Sequence, residues 1–140
     1  MPIPEARLKQ EIILRWDDSS ETYYDHTGHG IKSEEERRAW MCAFKRTILS
    51  GTKYLLDAGC GTGELSLLMA EMRYRVTGLD LSQKMLNRAR IKAEKSCLDI
   101  SFENIGHIDL LHIRDIQRRR MNFCDKIRRH SAYYMVFSDT

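Results

Sequence analysis

The sequence has no apolar run long enough to cross a membrane and only two prolines among its 140 residues. A membrane span needs about 18 to 20 consecutive apolar residues, and the N-terminal stretch carries charges where a signal peptide has an apolar centre. A composition of 42% hydrophobic and 31% charged residues is typical of a globular chain and excludes disordered and collagen-like classes. We therefore expect one domain without a membrane partner, located in the cytoplasm.

Cysteine is sparse, and its spacing argues against disulfides and zinc. The four cysteines are Cys42, Cys60, Cys97 and Cys124. They form no CxxC pair in a chain without secretory features, so we predict free thiols. The only close pair of potential zinc ligands is His26 and His29, and no cysteine lies near them. We expect no metal site.

Positive charge is concentrated at the end of the sequence. Residues 1–113 contain 16 Lys and Arg against 17 Asp and Glu, whereas residues 114–140 contain 7 against 3. The positive charge of such a tail could bind nucleic acid, but aromatic residues are not interleaved among its arginines. We therefore favour a solvated basic tail and keep nucleic-acid binding as the weaker alternative.

Two helices are predicted ahead of the central segment. Ser33 and Glu36 form a capping box, in which each side chain is expected to bond the other's backbone N–H. The apolar residues at helical spacing behind it are Trp40, Phe44 and Ile48. Gly51 supplies a left-handed residue of the kind that ends helices. The predicted ranges are 5–16 for a helical arm, 17–32 for a loop and 34–49 for the second helix.

The central segment alternates between strand and helix patterns. The predicted elements are strands at 54–58, 75–81 and 99–103, and helices at 65–72 and after Ser82. The residues expected to face inward from the last helix are Met85, Leu86, Ala89 and Ala93. This order predicts an α/β fold with a parallel sheet covered by helices, and the pattern weakens after Asn104.

The most informative segment is LLDAGCGTGE, residues 55–64, in which glycines occupy a strand-to-helix turn. Gly59, Gly61 and Gly63 allow the backbone to approach a ligand without obstruction by side chains. Asp80 ends the next strand, 17 residues after Gly63, near the spacing at which a carboxylate binds ribose hydroxyls. The turn and the carboxylate together predict a nucleoside site.

The glycine spacing narrows the kind of nucleoside. Nicotinamide and flavin dinucleotides favour GxGxxG, whereas this turn reads GxGxG. Asp57 before the turn and Glu64 after it would repel a phosphate and attract an ammonium group. This pattern favours a cofactor with an amino-acid end, and an NAD-dependent oxidoreductase is the less favoured enzyme alternative.

These motifs closely resemble those of the class I S-adenosylmethionine-dependent methyltransferases. LDAGCGTG matches the family's D-x-G-x-G-x-G run, and Asp80 in VTGLDLS matches the acidic residue that ends its second strand. The resemblance covers roughly residues 52–104 and implies a Rossmann-like three-layer sandwich. Upstream, YYDHTGHGIKSEEERRAW is more loosely similar to the helical cap of the small-molecule, type 11 branch.

The resemblance also implies roles for individual residues. The implied cofactor-binding set is Tyr24, Asp57, Gly59, Cys60, Gly61, Gly63, Asp80 and Leu81, with S-adenosylmethionine as the cofactor. The glycine turn would pass the methionine end, and Asp57 would order the turn or bind the amino group. Asp80 would bind the ribose and Leu81 the adenine, while Tyr24 would either cover the cofactor's carboxylate or sulfonium or simply pack the arm on the core.

The reaction implied by the family is in-line attack of a nucleophile on the sulfonium methyl, with a small molecule as the acceptor. Alignment and exclusion of water are the protein's main contributions, so no catalytic triad is required and no catalytic residue is assigned. His29 is a candidate proton acceptor, although a loop histidine between glycines is more often a surface residue.

The family pattern breaks after the third strand. Where the family has a Gly-Asp-Ala turn that reads the adenine, Gly106 is followed by His107. We expect a helical cap over 1–50, a cofactor-binding half-domain over 51–113 that is incomplete on its C-terminal side, and a basic tail over 114–140. Either a truncated half-sheet stands alone, or a change of reading frame produced the tail, which we favour. A non-catalytic nucleotide-binding or interaction fragment is therefore the main functional alternative.

Overall fold

The central segment forms the predicted alternation of strands and helices. The computed structural model describes residues 5–23 and 30–105, together with the strand backbones at 122–123 and 137–138. Its helices are α1 (Glu5–Ser19), α2 (Glu34–Thr47), α3 (Glu64–Glu71) and α4 (Gln83–Lys95). Its strands are β1 (Tyr54–Ala58), β2 (Arg75–Asp80), β3 (Ile100–Asn104), β4 (Asn122–Phe123) and β5 (Phe137–Ser138). The α/β class is thereby confirmed.

Strands β1, β2 and β3 form one parallel sheet in that order, and β4 pairs with β5 in a separate antiparallel ribbon. The register places Ala58 opposite Leu79 and Asp80 opposite Asn104. Parallel strands end at the same edge of a sheet, so the glycine turn after β1 and Asp80 at the end of β2 are neighbours. The carboxyl edge of the sheet therefore carries the candidate site.

The core lies between one face of the sheet and a layer made by α2, α3 and α4. The sheet contributes Leu55, Val76, Ile100 and Phe102 to this layer, at alternate positions along their strands. The residues predicted to face inward from α4 are all buried, as are Phe44 of α2 and Ile48 just after it. Because β1 leads through α3 to β2 and β2 through α4 to β3, right-handed crossovers place α3 and α4 on the same side.

The opposite face of the sheet is packed differently. Leu56 and Leu79 are buried there beside Ile105. At its amino end the Arg75 guanidinium lies 5.5 Å from the centre of the Tyr54 ring and donates a 3.1 Å hydrogen bond to the Tyr54 hydroxyl. An open groove of about 760 Å³ crosses this end and does not include the glycine turn. The described residues thus supply two of the three predicted layers, the sheet and one helical layer.

The ends of α1 and α2 differ from the prediction. Helix α1 continues to Ser19, past the predicted end at residue 16, and hydroxyls close it: Ser19 Oγ donates to the Arg15 carbonyl and Ser20 Oγ to the Asp17 carbonyl. Helix α2 stops at Thr47, whose hydroxyl donates to the Ala43 carbonyl at 2.8 Å. Hydroxyls bound to carbonyls satisfy helix C-termini locally, and turn composition alone does not predict this.

At the start of α2, one of the two hydrogen bonds of the predicted capping box is present and the other has a different backbone donor. Ser33 Oγ accepts from the Glu36 N–H at 3.1 Å, as expected. The Glu36 carboxylate, however, accepts from the N–H of Lys32, at 2.8 Å, in place of the Ser33 N–H. The reciprocal bond was therefore assigned one residue too far along the chain.

Several sequence-based predictions concern residues outside the described part of the chain. These residues are Tyr24, His26, His29, Gly106, His107 and Cys124, together with the arginines of the basic tail. Among the residues that the structure does describe, no helix combines the length and the apolar character that a membrane crossing requires.

Candidate functional site

Four backbone N–H groups of the glycine turn after β1 donate hydrogen bonds within the protein. The N–H groups of Gly59 and Cys60 both donate to the Leu79 carbonyl, at 2.7 and 2.9 Å. The Gly61 N–H donates to Asp80 Oδ2 at 2.8 Å, and the Gly63 N–H donates to the Cys60 carbonyl at 2.9 Å. These four backbone donors are therefore committed within the protein.

This arrangement has a direct chemical consequence for the ligand. A phosphate-binding turn offers free backbone N–H groups to an anion, together with the positive end of a helix. Here the N–H groups of Gly59, Cys60, Gly61 and Gly63 bind carbonyl or carboxylate oxygens instead. The turn is consequently poorly suited to a pyrophosphate, in agreement with the prediction from the glycine spacing.

The region where the glycine turn and the loop after β2 meet, at the carboxyl edge of the sheet, is called the cleft below, and Asp80 joins these two loops. Its Oδ2 accepts from the Gly61 N–H and its Oδ1 from the Ser82 N–H, each at 2.8 Å. Burial raises the pKa of Asp80, while the hydrogen bonds from Ser82 and Gly61 oppose the rise. The carboxylate is thereby held in one orientation at the carboxyl edge of the sheet, where a pair of vicinal hydroxyls would find two acceptor oxygens.

Asp57 faces the helical layer, away from the cleft. Only 2% of its surface is exposed, and its Oδ2 accepts from Ser66 Oγ of α3 at 2.6 Å. Burial raises the pKa of Asp57 from 3.8 to about 6, against the lowering effect of the Ser66 hydroxyl. Of the two roles considered for Asp57, these contacts favour ordering of the turn over binding of the cofactor's amino group.

The shifted pKa of Asp57 predicts a specific dependence of stability on pH. Folding raises this pKa, so the stabilising contribution is complete below about pH 4 and is lost as the pH rises through about 6. Relative to Asp57→Asn, whose amide does not titrate, the wild type should lose about 2 to 3 kcal/mol of unfolding free energy across this window. Urea unfolding of both proteins at several pH values measures the difference, and parallel pH profiles would contradict the assignment.

Glu64 and Cys60 also have partners that the sequence did not reveal. The Glu64 carboxylate forms an ion pair with Lys92 of α4, whose Nζ also donates to Thr62 Oγ1 at 3.1 Å. Cys60 is buried in the helical layer, and a Cβ added at Gly78 would lie 2.9 Å from its Sγ. The expectation that Glu64 serves an ammonium group is therefore corrected to an intramolecular ion pair, and the Cys60 side chain belongs to the core.

Two residues at the cleft were missed by the sequence analysis. Tyr23 lies beside the turn, since a Cβ added at Gly61 would be 4.0 Å from its ring carbon Cε1 and its hydroxyl. Burial, followed by the charges of Asp80 and Glu64, raises the pKa of Tyr23. Asn104 donates from Nδ2 to the carbonyl of half-buried Leu81 at 3.0 Å. The register that places Asn104 opposite Asp80 was the signal available for it.

Metal and thiol chemistry receive no support from the described residues. Within residues 5–23 and 30–105 no group of three or more His, Cys, Asp or Glu side chains is arranged to hold a metal ion. Cys42, Cys60 and Cys97 are free thiols. Burial raises the pKa of the Cys60 thiol far above its usual range, so it stays protonated.

Comparisons with known proteins agree with this geometry. Residues 55–118 match the family model of a methyltransferase domain. A putative methyltransferase from a Geobacillus strain is 50% identical over 76 residues, which cover 51% of this chain and 31% of that protein. A ubiquinone biosynthesis O-methyltransferase from Coxiella burnetii is 25% identical over 130 residues, covering 93% of this chain and 55% of its own length. This chain therefore spans about half or less of these curated relatives.

Among solved structures, the fold resembles that of a magnesium protoporphyrin IX methyltransferase from Synechocystis with bound S-adenosylmethionine. The alignment covers 100% of both chains with a TM-score of 0.56 and 14% sequence identity. At this identity the comparison supports the Rossmann-like fold alone, and it agrees with the parallel sheet and crossover helices observed here.

Proposed function

We propose that this chain, residues 55–118 of which match the family model of a methyltransferase domain, belongs to the class I S-adenosylmethionine-dependent methyltransferases, and that the whole protein transfers a methyl group from S-adenosylmethionine to a small-molecule acceptor. The observation that carries the proposal is the Asp80 carboxylate, bonded to the glycine turn at Gly61 and to the next loop at Ser82. A carboxylate fixed in this way is suited to vicinal ribose hydroxyls.

The donors and charges at the cleft fit a nucleoside that carries an amino-acid end. The N–H groups from Gly59 to Gly61 are bonded internally, so a pyrophosphate would gain little from the turn. The Asp80 carboxylate gives the surroundings of Tyr23 a negative charge that favours a sulfonium cation, whereas the charge of Glu64 is balanced by Lys92. The site chemistry therefore supports S-adenosylmethionine over nicotinamide or flavin dinucleotides.

We assign the following roles within this proposal. Asp80 binds the ribose hydroxyls, and Leu81, whose carbonyl is held by Asn104, packs on the adenine. Gly59 and Gly61 pass beneath the methionine end, because among the described residues a Cβ added at Gly59 would contact nothing within 4 Å and one at Gly61 only Tyr23. Asp57 orders the turn through Ser66 and does not contact the cofactor.

S-adenosylmethionine supplies the electrophilic methyl group when bound. The residues of this chain contribute orientation of the cofactor and exclusion of water from its reactive centre. Neither task requires an acid–base pair in the described residues, so a proton acceptor is not assigned. The Coxiella relative is named as an O-methyltransferase of ubiquinone biosynthesis, which supports a small-molecule acceptor for this chain as well.

Calorimetric titration of the folded chain with S-adenosylhomocysteine tests the cofactor site without a known acceptor. We expect saturable binding and no comparable heat from NAD⁺, because the N–H groups of Gly59, Cys60, Gly61 and Gly63 are already bonded within the protein. Circular dichroism of the same sample establishes that the chain is folded.

Two outcomes of the titration would contradict the proposed function, and a third would favour the fragment alternative. A folded chain that does not bind S-adenosylhomocysteine would overturn the cofactor assignment. Binding of NAD⁺ at similar affinity would favour the oxidoreductase alternative. Saturable binding of S-adenosylhomocysteine without methyl transfer to any acceptor would instead favour the non-catalytic fragment.

A further inference from the structure

The end of α1 is attached to the loop that follows Asp80. Asp17 Oδ1 accepts hydrogen bonds from Ser82 Oγ and, at 3.4 Å, from the N–H of Lys84. Ser82 is fully buried and caps α4, its Oγ accepting from the Met85 N–H at 3.1 Å. A single carboxylate therefore connects α1 to residues 65 and 67 positions further along the chain.

The residues after Asp17 extend from this attachment to the glycine turn. Ser20 is buried and returns a 2.8 Å hydrogen bond from its hydroxyl to the Asp17 carbonyl. The Tyr23 ring packs edge-on against Trp16, with ring centres 6.1 Å apart and an interplanar angle of 73°. On its other side Tyr23 lies next to Gly61. Residues 17–23 thus connect the loop after β2 to the loop after β1.

We propose that residues 17–23 form a strap across the carboxyl edge of the sheet, and that Asp17 is a positioning residue that holds Tyr23 over the methionine end of the cofactor. The inference rests on the proposed function, because it assumes a cofactor between these two loops. It adds a residue that touches neither the cofactor nor the glycine turn and acts through Tyr23.

The chemistry of Tyr23 suits this position. An aromatic ring attracts a cation at its face, and a sulfonium beside Gly61 would lie within reach of the ring. With its ordinary pKa near 10, the Tyr23 phenol is already protonated at neutral pH and can donate a hydrogen bond; burial and the charges of Asp80 and Glu64 raise its pKa further. A protonated phenol adds no negative charge beside the Asp80 carboxylate.

The test compares Asp17→Asn with Asp18→Asn, a matched control that removes the same charge from an exposed neighbour on the same helix. Each full-length variant is titrated with S-adenosylhomocysteine and with adenosine, which lacks the amino-acid end. We expect Asp17→Asn to weaken S-adenosylhomocysteine binding about tenfold and adenosine binding less than about twofold. Asp18→Asn should match the wild type for both ligands.

Tyr23→Ala provides the second arm. If Asp17 acts through Tyr23, the double variant should bind S-adenosylhomocysteine no more weakly than Tyr23→Ala alone, because the shared effect is counted only once. A spectroscopic readout is also available in a Trp40→Phe background, which leaves Trp16 beside Tyr23 as the single tryptophan. Its fluorescence should respond to S-adenosylhomocysteine, and Asp17→Asn should reduce the response.

Four results would overturn the inference. Equal losses for S-adenosylhomocysteine and adenosine would mean that Asp17 supports the Asp80 loop alone, and additive losses in the double variant would separate Asp17 from Tyr23. Unchanged binding by Asp17→Asn would remove the positioning role while leaving the proposed function intact. Failure of the folded wild type to bind S-adenosylhomocysteine would overturn the proposed function, and the strap's role with it.

Discussion

Replacing Gly63 with alanine is expected to lower the free energy of unfolding by about 2 to 5 kcal/mol, because two penalties act at one position. Gly63 caps α3 with φ of 81°, a left-handed conformation that costs an alanine about 1 to 2 kcal/mol. Its new Cβ would also lie 2.9 Å from the Cβ of Ala89 and 3.3 Å from the Phe102 ring. Overpacking of this kind costs about 1 to 3 kcal/mol.

Gly51→Ala is the matched control for this prediction. Gly51 has φ of 89°, but a Cβ there would meet no atom of the residues that the structure describes within 4 Å, so only the backbone penalty is expected. Urea unfolding of the wild type, Gly63→Ala and Gly51→Ala measures the backbone penalty and the overpacking penalty. The difference between the two variants isolates the clash of the new Cβ with Ala89 of α4 and Phe102 of β3. Equal destabilisation by the two substitutions would show that Ala89 and Phe102 do not pack tightly on the turn.

Asp80→Ala is expected to weaken S-adenosylhomocysteine binding about 5- to 150-fold, the equivalent of about 1 to 3 kcal/mol for hydrogen-bonding groups left without partners. The variant removes the proposed acceptor of the ribose hydroxyls. It also frees the N–H groups of Gly61 and Ser82, which Asp80 holds at 2.8 Å. Calorimetry at constant pH and salt measures the loss.

The control for Asp80 is Asp99→Ala. Asp99 is an exposed carboxylate just before β3, at the amino edge of the sheet, whereas Asp80 lies at the carboxyl edge. Its removal should leave S-adenosylhomocysteine affinity unchanged. Asp80→Ala with wild-type affinity would contradict the ribose assignment, and unfolding curves of each variant separate lost binding from lost structure.

Most of the central fold was predictable because its signals are local. Apolar runs and the glycine turn predicted the three strands and α3 to within one or two residues, and Ser82 predicted the start of α4, whose end was not predicted. The parallel sheet followed from the alternation of strands and helices, and parallel strands place Asp80 beside the glycine turn, as the structure shows. Elements upstream were less predictable, since the end of α1 depends on the hydroxyls of Ser19 and Ser20.

Part of what was missed had a signal in the sequence. Asp57 is two residues from Leu55 in β1, and alternation places both on the face covered by α3, where a carboxylate needs a partner such as Ser66. Gly78, inside a strand, indicated close approach of another group, and an added Cβ there would lie 2.7 Å from the Phe102 ring. Both inferences require only that side chains alternate between the two faces of a strand and that a glycine within a strand leaves room for a neighbour.

By itself, then, the sequence determined the fold class, the glycine turn and the acidic residue that faces it, because propensity, spacing and strand order act over short distances. Only the tertiary structure decided the partners of the other polar groups: Glu64 with Lys92, and Asp17 with Ser82. It also brought Tyr23 to Gly61. The physical reason is that such contacts join residues about 30 to 65 positions apart, and packing of whole helices sets their distances.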